Sequence, residues 1–331
     1  MAFSFSKIKQ RLGNSTSIFA IFTFLTKPFA KQLRHSNSIQ LAIPKQPAKV
    51  SVIVPNYNYK DYLEARISSI LNQTYPIYEL IILDDASSDG SLSFIEKKLL
   101  PFIRDKNPNL KLKFIPNKTN SGKSISQWKK AIHEINGDFF WIAEADDISD
   151  PNFLAVVMSK YQQDKDTVIS FSNSAAINSK GSVLTYDFQN KSVDKIRAHR
   201  FKRDFIVGGK EIIKHEFAIN CIIPNVSSAV FRFDKTIPFE KYLAESMAFT
   251  QCGDWYFYLK VLQHGKLAYS RPALNFFRIH QRSVTASSKK SRVITEEVKT
   301  IHSNLANQYR LSENIYLAMK KEESRLEHRS S

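Results

Sequence analysis

Acidic residues are missing from the first sixty positions. The first carboxylate is Asp61, whereas Lys7, Lys9, Arg11, Lys27, Lys31, Arg34, Lys45 and Lys49 all fall within residues 1–50. The chain carries 48 Lys plus Arg against 31 Asp plus Glu, a net charge of +17, and nearly half of that excess sits on this leader. A basic surface spread over the body, which nucleic-acid binding would need, is not what this distribution describes. Cysteine is almost absent: Cys221 and Cys252 in 331 residues make no disulfide framework, and a reducing, cytoplasmic compartment is the default. Long apolar runs are missing from the leader too. Its patch Ile18–Leu25 is far short of the roughly 20 residues needed to span hydrocarbon, and no small-x-small cleavage site follows it. No G-x-G-x-x-G occurs, so a dinucleotide fold lacks its signature. Gly122-Lys123-Ser124 resembles the end of a phosphate loop, but Asn117 stands where that motif needs its first glycine.

What is present begins with Phe139-Phe140-Trp141-Ile142-Ala143-Glu144-Ala145-Asp146-Asp147. Five apolar residues followed by three carboxylates within four positions describe a buried strand whose carboxyl end emerges with concentrated negative charge. Such carboxylates repel, and a divalent cation held by oxygen ligands compensates them. A solvated acidic turn is the plain alternative.

The leader's aromatic residues among cations suit a segment lying on an anionic membrane surface, peripheral on the cytoplasmic face; a helix packed on the body or a tail are the alternatives. Val50–Val54, stopped by Pro55, reads as a buried strand. Asn56-Tyr57-Asn58-Tyr59 makes a polar–aromatic loop, and the spacing of Leu63, Ile67, Ile70 and Leu71 predicts an amphipathic helix from Asp61. Glu79–Leu83 is a second strand ending in the capping turn Asp84–Gly90. Strand, helix, strand and acidic loop form a βαβ unit, which implies a parallel sheet with ligands at its carboxyl ends. A third strand is expected over 111–115, helices over 127–135 and from Pro151 to about Tyr161, and a strand near 168–171. Residues 178–220 are polar and poorly periodic, an insertion or acceptor-facing loops. Ile222–Phe231 looks buried, Trp255, Tyr258, Leu259 and Leu262 share a helical face, and 273–279 is a strand. From Thr295 the chain is charged and helical.

These pieces, in order, resemble the family-2 inverting glycosyltransferases with the GT-A fold. The resemblance rests on Val50–Asn58, Ile70–Thr74, Leu83–Gly90, Asn120-Ser121-Gly122, Ala145-Asp146-Asp147, Gly253-Asp254, and Arg278-Ile279-His280 with Ser283 and Thr285. It implies an α/β fold, with a Rossmann-like mixed or parallel central sheet flanked by helices and a helical C-terminal extension. The chain then divides into a basic leader (1–48), a GT-A domain (49–285) and that extension (286–331).

The resemblance also implies roles. Pro55, Tyr57 and Asn58 line the pocket for the base of a nucleotide sugar, with Tyr57 stacking on uracil, and Asp85 accepts a hydrogen bond from the base. Asp146 binds the ribose, Asp147 the divalent metal (Mn²⁺ or Mg²⁺), and His280 a further metal or diphosphate contact. Gly122 and Lys123 belong to the nucleotide-sugar site; Lys123, Arg278 and Arg282 are candidates for diphosphate oxygens, although each is equally a solvated cation. Asp254 matches the catalytic base, with a helix N-cap as its alternative; the glycine before it would leave room for an acceptor. The implied activity is inverting, metal-dependent transfer from a UDP-linked sugar to a glycan or lipid-linked acceptor of cell-surface polysaccharide synthesis. A catalytically silent sugar-nucleotide-binding relative and a basic nucleic-acid-binding protein are the competing classes. Retained Asp147 and Asp254 oppose the first, and acidic strand ends oppose the second.

Overall fold

The structure, a computed structural model, describes residues 41–188, 199–280 and 288–330. The expectations for residues 1–40, Arg282, Ser283 and Thr285, and the boundary at 285, lie outside the described residues. None of the described helices is long and apolar enough to cross a membrane.

The first half follows the expected alternation. Strand β1 (Val50–Asn56) leads to α1 (Lys60–Leu71), β2 (Glu79–Asp84), a helical run over 91–106 (α2), β3 (Lys111–Pro116), α3 (Ser124–Ile132) and β4 (Phe139–Ile142). Strand β1 pairs in parallel with β2 and with β4, and β2 with β3. Period-2 alternation sends these strands' side chains to opposite faces. Val52, Val54, Leu80, Ile82, Phe139 and Trp141 pack one way, onto α1 and α2. Ile53, Ile81, Leu83, Phe140 and Ile142 pack the other way, with Trp128 of α3. Both faces are therefore covered, and near-continuous apolar strands are the expected result.

The second half changes direction. After β5 (Ile148–Ser149) and α4 (Phe153–Gln163) come β6 (Thr167–Asn178), β7 (Val183–Thr185), β8 (Phe205–Gly208), a helical run over 209–217 (α5), β9 (Ala229–Arg232), α6 (Phe239–Ser246), α7 (Gly253–Val261) and β10 (Lys266–Ile279). Strand β9 joins the halves, antiparallel to both β4 and β6. Strand β10 lies parallel to β6 and antiparallel to β5 and β8. Among the described residues the sheet order is β3-β2-β1-β4-β9-β6-β10-β5, with β7 on β6 and β8 on β10. Residues 178–220 are therefore not all loop: β7, β8 and α5 are built from them, and Ile212, Ile213 and Phe217 join the core. Two helices close the chain, α8 (Ser288–Gln308) and α9 (Glu313–Ser330). Val298, Ile301, Leu305 and Met319 place this extension in the same apolar cluster as α7.

Candidate active site

Loops at the carboxyl ends of β1, β2 and β3 are tied together by short polar side chains. Asn56 donates from Nδ2 to Asp84 at 2.7 Å and to Ser87 Oγ at 3.2 Å. Asn58, at φ 59°, accepts on Oδ1 from the Ser88 and Asp89 amides at 2.8 and 3.2 Å. Asparagine tolerates that left-handed conformation better than most residues. Pro55 is buried between these turns, while the Tyr57 ring is 46% exposed and open to a stacking partner.

The buried Asp85 carboxylate already has protein donors on both oxygens. Asn117 Nδ2 (2.6 Å), the Ser121 amide (3.0 Å), Ser121 Oγ (2.8 Å) and Gln127 Nε2 (2.8 Å) all reach it. Three of these reach Oδ1 and the Ser121 hydroxyl reaches Oδ2, so Asp85 ties down the loop that carries Gly122 while Oδ2 keeps room for a further donor. Gly122 is exposed at φ 79°. Lys123 points elsewhere: its ammonium donates to the Met247 carbonyl at 2.5 Å, bracing α3 against the segment before Asp254.

The acidic stretch leaves β4 as expected and meets the end of β10. Asp146 Oδ2 lies 2.9 Å from His280 Nε2, with side chains 14% and 4% exposed. Asp147 is more deeply enclosed. Its Oδ1 accepts the Arg278 amide at 2.9 Å and its Oδ2 accepts Asn225 Nδ2. Glu144 accepts from Trp128 Nε1 at 3.0 Å. Burial, then its acidic neighbours Asp146 and Asp147, pushes the Glu144 carboxyl up to about 8; burial and Asp146 push Asp147 up to about 7. Arg278 braces the turn with Nε on the Asp146 carbonyl at 2.6 Å and Nη1 on the Asn178 carbonyl at 3.0 Å.

Beneath this cluster lies a buried cation, Arg66 of α1. Its guanidinium sits 4.8 Å over the Trp141 ring and donates from Nη1 to Ser149 at 2.9 Å, while Nε and Nη2 have no hydrogen-bond partner among the described residues. Burial lowers its pKa to about 10, against the pull of Asp147, Asp146 and Glu144, so it stays charged near neutrality. Sequence reasoning missed it, although an arginine three residues after Leu63, on the apolar face of α1, is the signal. Asn225 and Ser227 were missed as well. The Ser227 hydroxyl takes the Glu144 amide at 3.0 Å, and its carbonyl takes Trp141 Nε1 at 2.9 Å.

Asp254 lies in the first turn of α7, whose N-cap position is Cys252, so it is not the cap residue itself. Its Oδ1 takes the Trp255 amide at 2.7 Å. Burial raises the Asp254 carboxyl to about 6, with the backbone amides opposing and Glu297 adding to the rise. The buried Tyr258 hydroxyl, which has no hydrogen-bond partner among the described residues, feels both Asp254 and Glu144, linking the two acidic centres electrostatically. Gly253 does not leave room for a ligand. A Cβ there would sit 2.3 Å from Ile125 Cδ1 and 2.8 Å from the Ser246 carbonyl, so the missing side chain serves close packing of α7 on α3 and α6. A cavity of about 290 Å³ between α5, α7 and α8 is lined by none of the site residues.

Among the described residues no three His, Cys, Asp or Glu side chains gather as a metal cage. Mg²⁺-type sites are ordinarily completed by substrate phosphates around one or two carboxylates. The Asp146–His280 pair, beside two carboxyls raised by burial and then by acidic neighbours, has the donor types for such a cation.

The sequence pattern of Glycosyl transferase family 2 matches residues 51–220, just over half of the 331. The chain belongs to this family. An uncharacterized glycosyltransferase of Haemophilus influenzae is 27% identical over 251 residues, covering 74% of this chain and 85% of that one. Residues 1–349 of S. aureus TarS, solved with UDP-GlcNAc, superpose with a TM-score of 0.53 at 16% identity, covering 86% of this chain and 82% of that one. The mannosyltransferase PcManGT of Pyrobaculum calidifontis, solved with GDP-Man and Mn²⁺, gives 0.53 at 16% identity, with 93% and 81% covered. At such identities the two structures bear on the fold alone, and the fold is GT-A: a mixed, curled sheet flanked by helices, with a helical C-terminal segment.

Proposed function

We propose that this family-2 member moves a sugar from a nucleoside diphosphate donor, UDP-linked, to a hydroxyl of a glycan or lipid-linked acceptor, with inversion, in cell-surface polysaccharide synthesis. The observation that carries the reading is the pairing of Asp146 with His280 beside two carboxyls whose protons are held high. Carboxyls crowded and buried this way hold protons that a divalent cation would displace, so the site suits a cation more than a bare diphosphate.

In this reading the open face of Tyr57 takes the base, on a floor set by Pro55 and by the Asn58 and Asp85 bracing. Asp146 and His280 hold Mn²⁺ or Mg²⁺, and Asp147 orients the turn through Arg278 and Asn225. Asp146 replaces Asp147 as the first candidate ligand because Asp147 is 2% exposed with both oxygens engaged. The bound cation supplies Lewis-acid neutralisation of the charge that develops on the leaving diphosphate. Asp254 takes the proton of the acceptor hydroxyl as its oxygen attacks the anomeric carbon and the bond to the diphosphate breaks. A carboxyl raised to about 6 is a stronger base than an ordinary aspartate and is still ionised at neutral pH. The cationic leader supports attachment to an anionic membrane surface.

The test is nucleotide release from a panel of UDP-, GDP- and dTDP-sugars with Mn²⁺, Mg²⁺ or EDTA. Release from a UDP-sugar that stops with EDTA is expected. Release indifferent to EDTA would remove the metal from the reading, and a GDP- or dTDP-sugar preference would remove uracil.

A further inference from the structure

Glu297 of α8 belongs to the C-terminal extension, outside the stretch that the family pattern matches. Its carboxylate nonetheless accepts three successive backbone amides from the segment that leads into Gly253-Asp254: Thr250 at 2.6 Å, Gln251 at 2.9 Å and Cys252 at 2.8 Å. Charged acceptors of this kind make stronger hydrogen bonds than neutral ones, and the positive end of α7 adds to the attraction. The turn of α8 that follows Glu297 is firmly anchored. Val298 and Ile301 are buried in the core shared with α7. Buried His302 places Nδ1 2.8 Å from Glu323 of α9 and Nε2 3.0 Å from the Ile219 carbonyl, and meets the Trp255 ring edge-on at 5.9 Å. Glu297 therefore reaches the loop from a fixed platform.

We propose that Glu297 is a positioning residue for sugar transfer: through three amides, the C-terminal helical hairpin holds the loop that carries the base. This rests on the reading of Asp254 as base. The groups that face Asp254 are Glu297 on α8, Cys221 on the segment before β9, and Cys252 and Tyr258 at α7; Glu297 brings a negative charge to that set.

Full-length Glu297→Gln is compared with Val298→Ala, which loosens the same turn without touching the clamp. Glutamine offers the three amides one acceptor oxygen and an opposing NH₂ group. Hydrogen exchange over 250–254, read by mass spectrometry, is expected to quicken in Glu297→Gln beyond any change in Val298→Ala. In nucleotide release with the best donor of the panel, Glu297→Gln is expected to lower kcat by about 10- to 100-fold with donor KM unchanged, as misplacement of a reacting group does. The acid limb of its pH profile should move to lower pH, because a negative neighbour of the base has gone; in Val298→Ala the limb stays in place.

Wild-type exchange over 250–254 in Glu297→Gln overturns the proposal, and so does a kcat loss that Val298→Ala matches at equal Tm. If Glu297→Gln fails to fold, Glu297→Asp, with the charge kept and the reach shortened, carries the exchange test on the same terms. Asp254→Asn, run in parallel, separates the two claims. An inert Asp254→Asn with an unaltered Glu297→Gln removes only the positioning role; a fully active Asp254→Asn removes the base and the positioning role together.

Discussion

Replacing Asp254 by Asn tests the proposed base and also yields a stability signature. Asparagine keeps the Oδ1 that takes the Trp255 amide but cannot accept the acceptor's proton. Transfer should fall by roughly 10² to 10⁴, the usual worth of a positioned general base. The folded carboxyl holds its proton up to about pH 6, whereas the unfolded one releases it near 3.8. Below 3.8 both forms are protonated and nothing is lost. As pH rises from there to about 6 the unfolded chain alone ionises, so the wild type loses stability across that window. A carboxyl moved from 3.8 to about 6 carries about 3 kcal/mol. Near pH 7 the Asn variant is therefore expected to be more stable than wild type by up to about 3 kcal/mol, and near pH 3.5 to match it. Urea unfolding at those two pH values measures the difference, and nucleotide release from pH 5 to 8 measures the limb. Near-normal transfer by a well-folded Asp254→Asn would refute the base, and a stability difference independent of pH would refute the raised carboxyl.

Further outcomes concern the acidic turn, the arginine beneath it and the leader. Asp146→Ala and His280→Ala should each abolish the Mn²⁺ dependence of UDP binding in calorimetry. Asp147→Ala should keep part of that dependence while losing about 1–3 kcal/mol of stability, because Asn225 Nδ2 is left without its acceptor; the reverse ranking would return the metal to Asp147. Arg66→Met removes the buried cation that opposes the rise of Glu144 and Asp147, so both carboxyls should keep their protons to higher pH and the variant should lose stability relative to wild type as pH rises above about 7 in urea unfolding. Full-length protein bound to anionic membranes should be released by high salt, since the Debye length contracts from about 10 Å at 0.1 M to about 3 Å at 1 M. Retention through both salt and carbonate washes would refute surface attachment.

The parts of the fold that were legible are those whose signals are local. Val50–Asn56, Glu79–Asp84 and Phe139–Ile142 each announce a buried strand by composition, and the polar turns after them announce where ligands gather. The antiparallel half was less legible, because pairing is set at long range. Strand β8 pairs with β10 across nearly sixty residues of chain, and nothing in Phe205–Gly208 alone points to its partner. The start of β10 was missed for a related reason: Pro272 interrupts its sequence pattern, and register shifts between Ser270 and Asn275 let the strand continue past it. At the site, Asp146, Asp147 and His280 were named in advance and do come together. What their sequence positions hid is which carboxylate remains open, since that depends on Asn225 and Arg278 closing over Asp147. Glu297 had no signal of its own, being one of two adjacent glutamates on a charged helix.

Strand β10 has a geometric consequence for how this site can vary. It starts just beyond α7, the helix that bears Asp254, and ends one residue before His280. Fourteen residues at about 3.3 Å each make it a ruler of roughly 46 Å, graduated in steps of one side chain. Because successive side chains alternate between faces, the register shifts around Ala273 set the parity with which Arg278 and His280 arrive. Removing one residue there would turn the imidazole away from Asp146, whereas removing two would keep its facing and shorten only the reach. Length changes in this strand are therefore tolerable only in pairs, a counting rule imposed on the chemistry by the pleat.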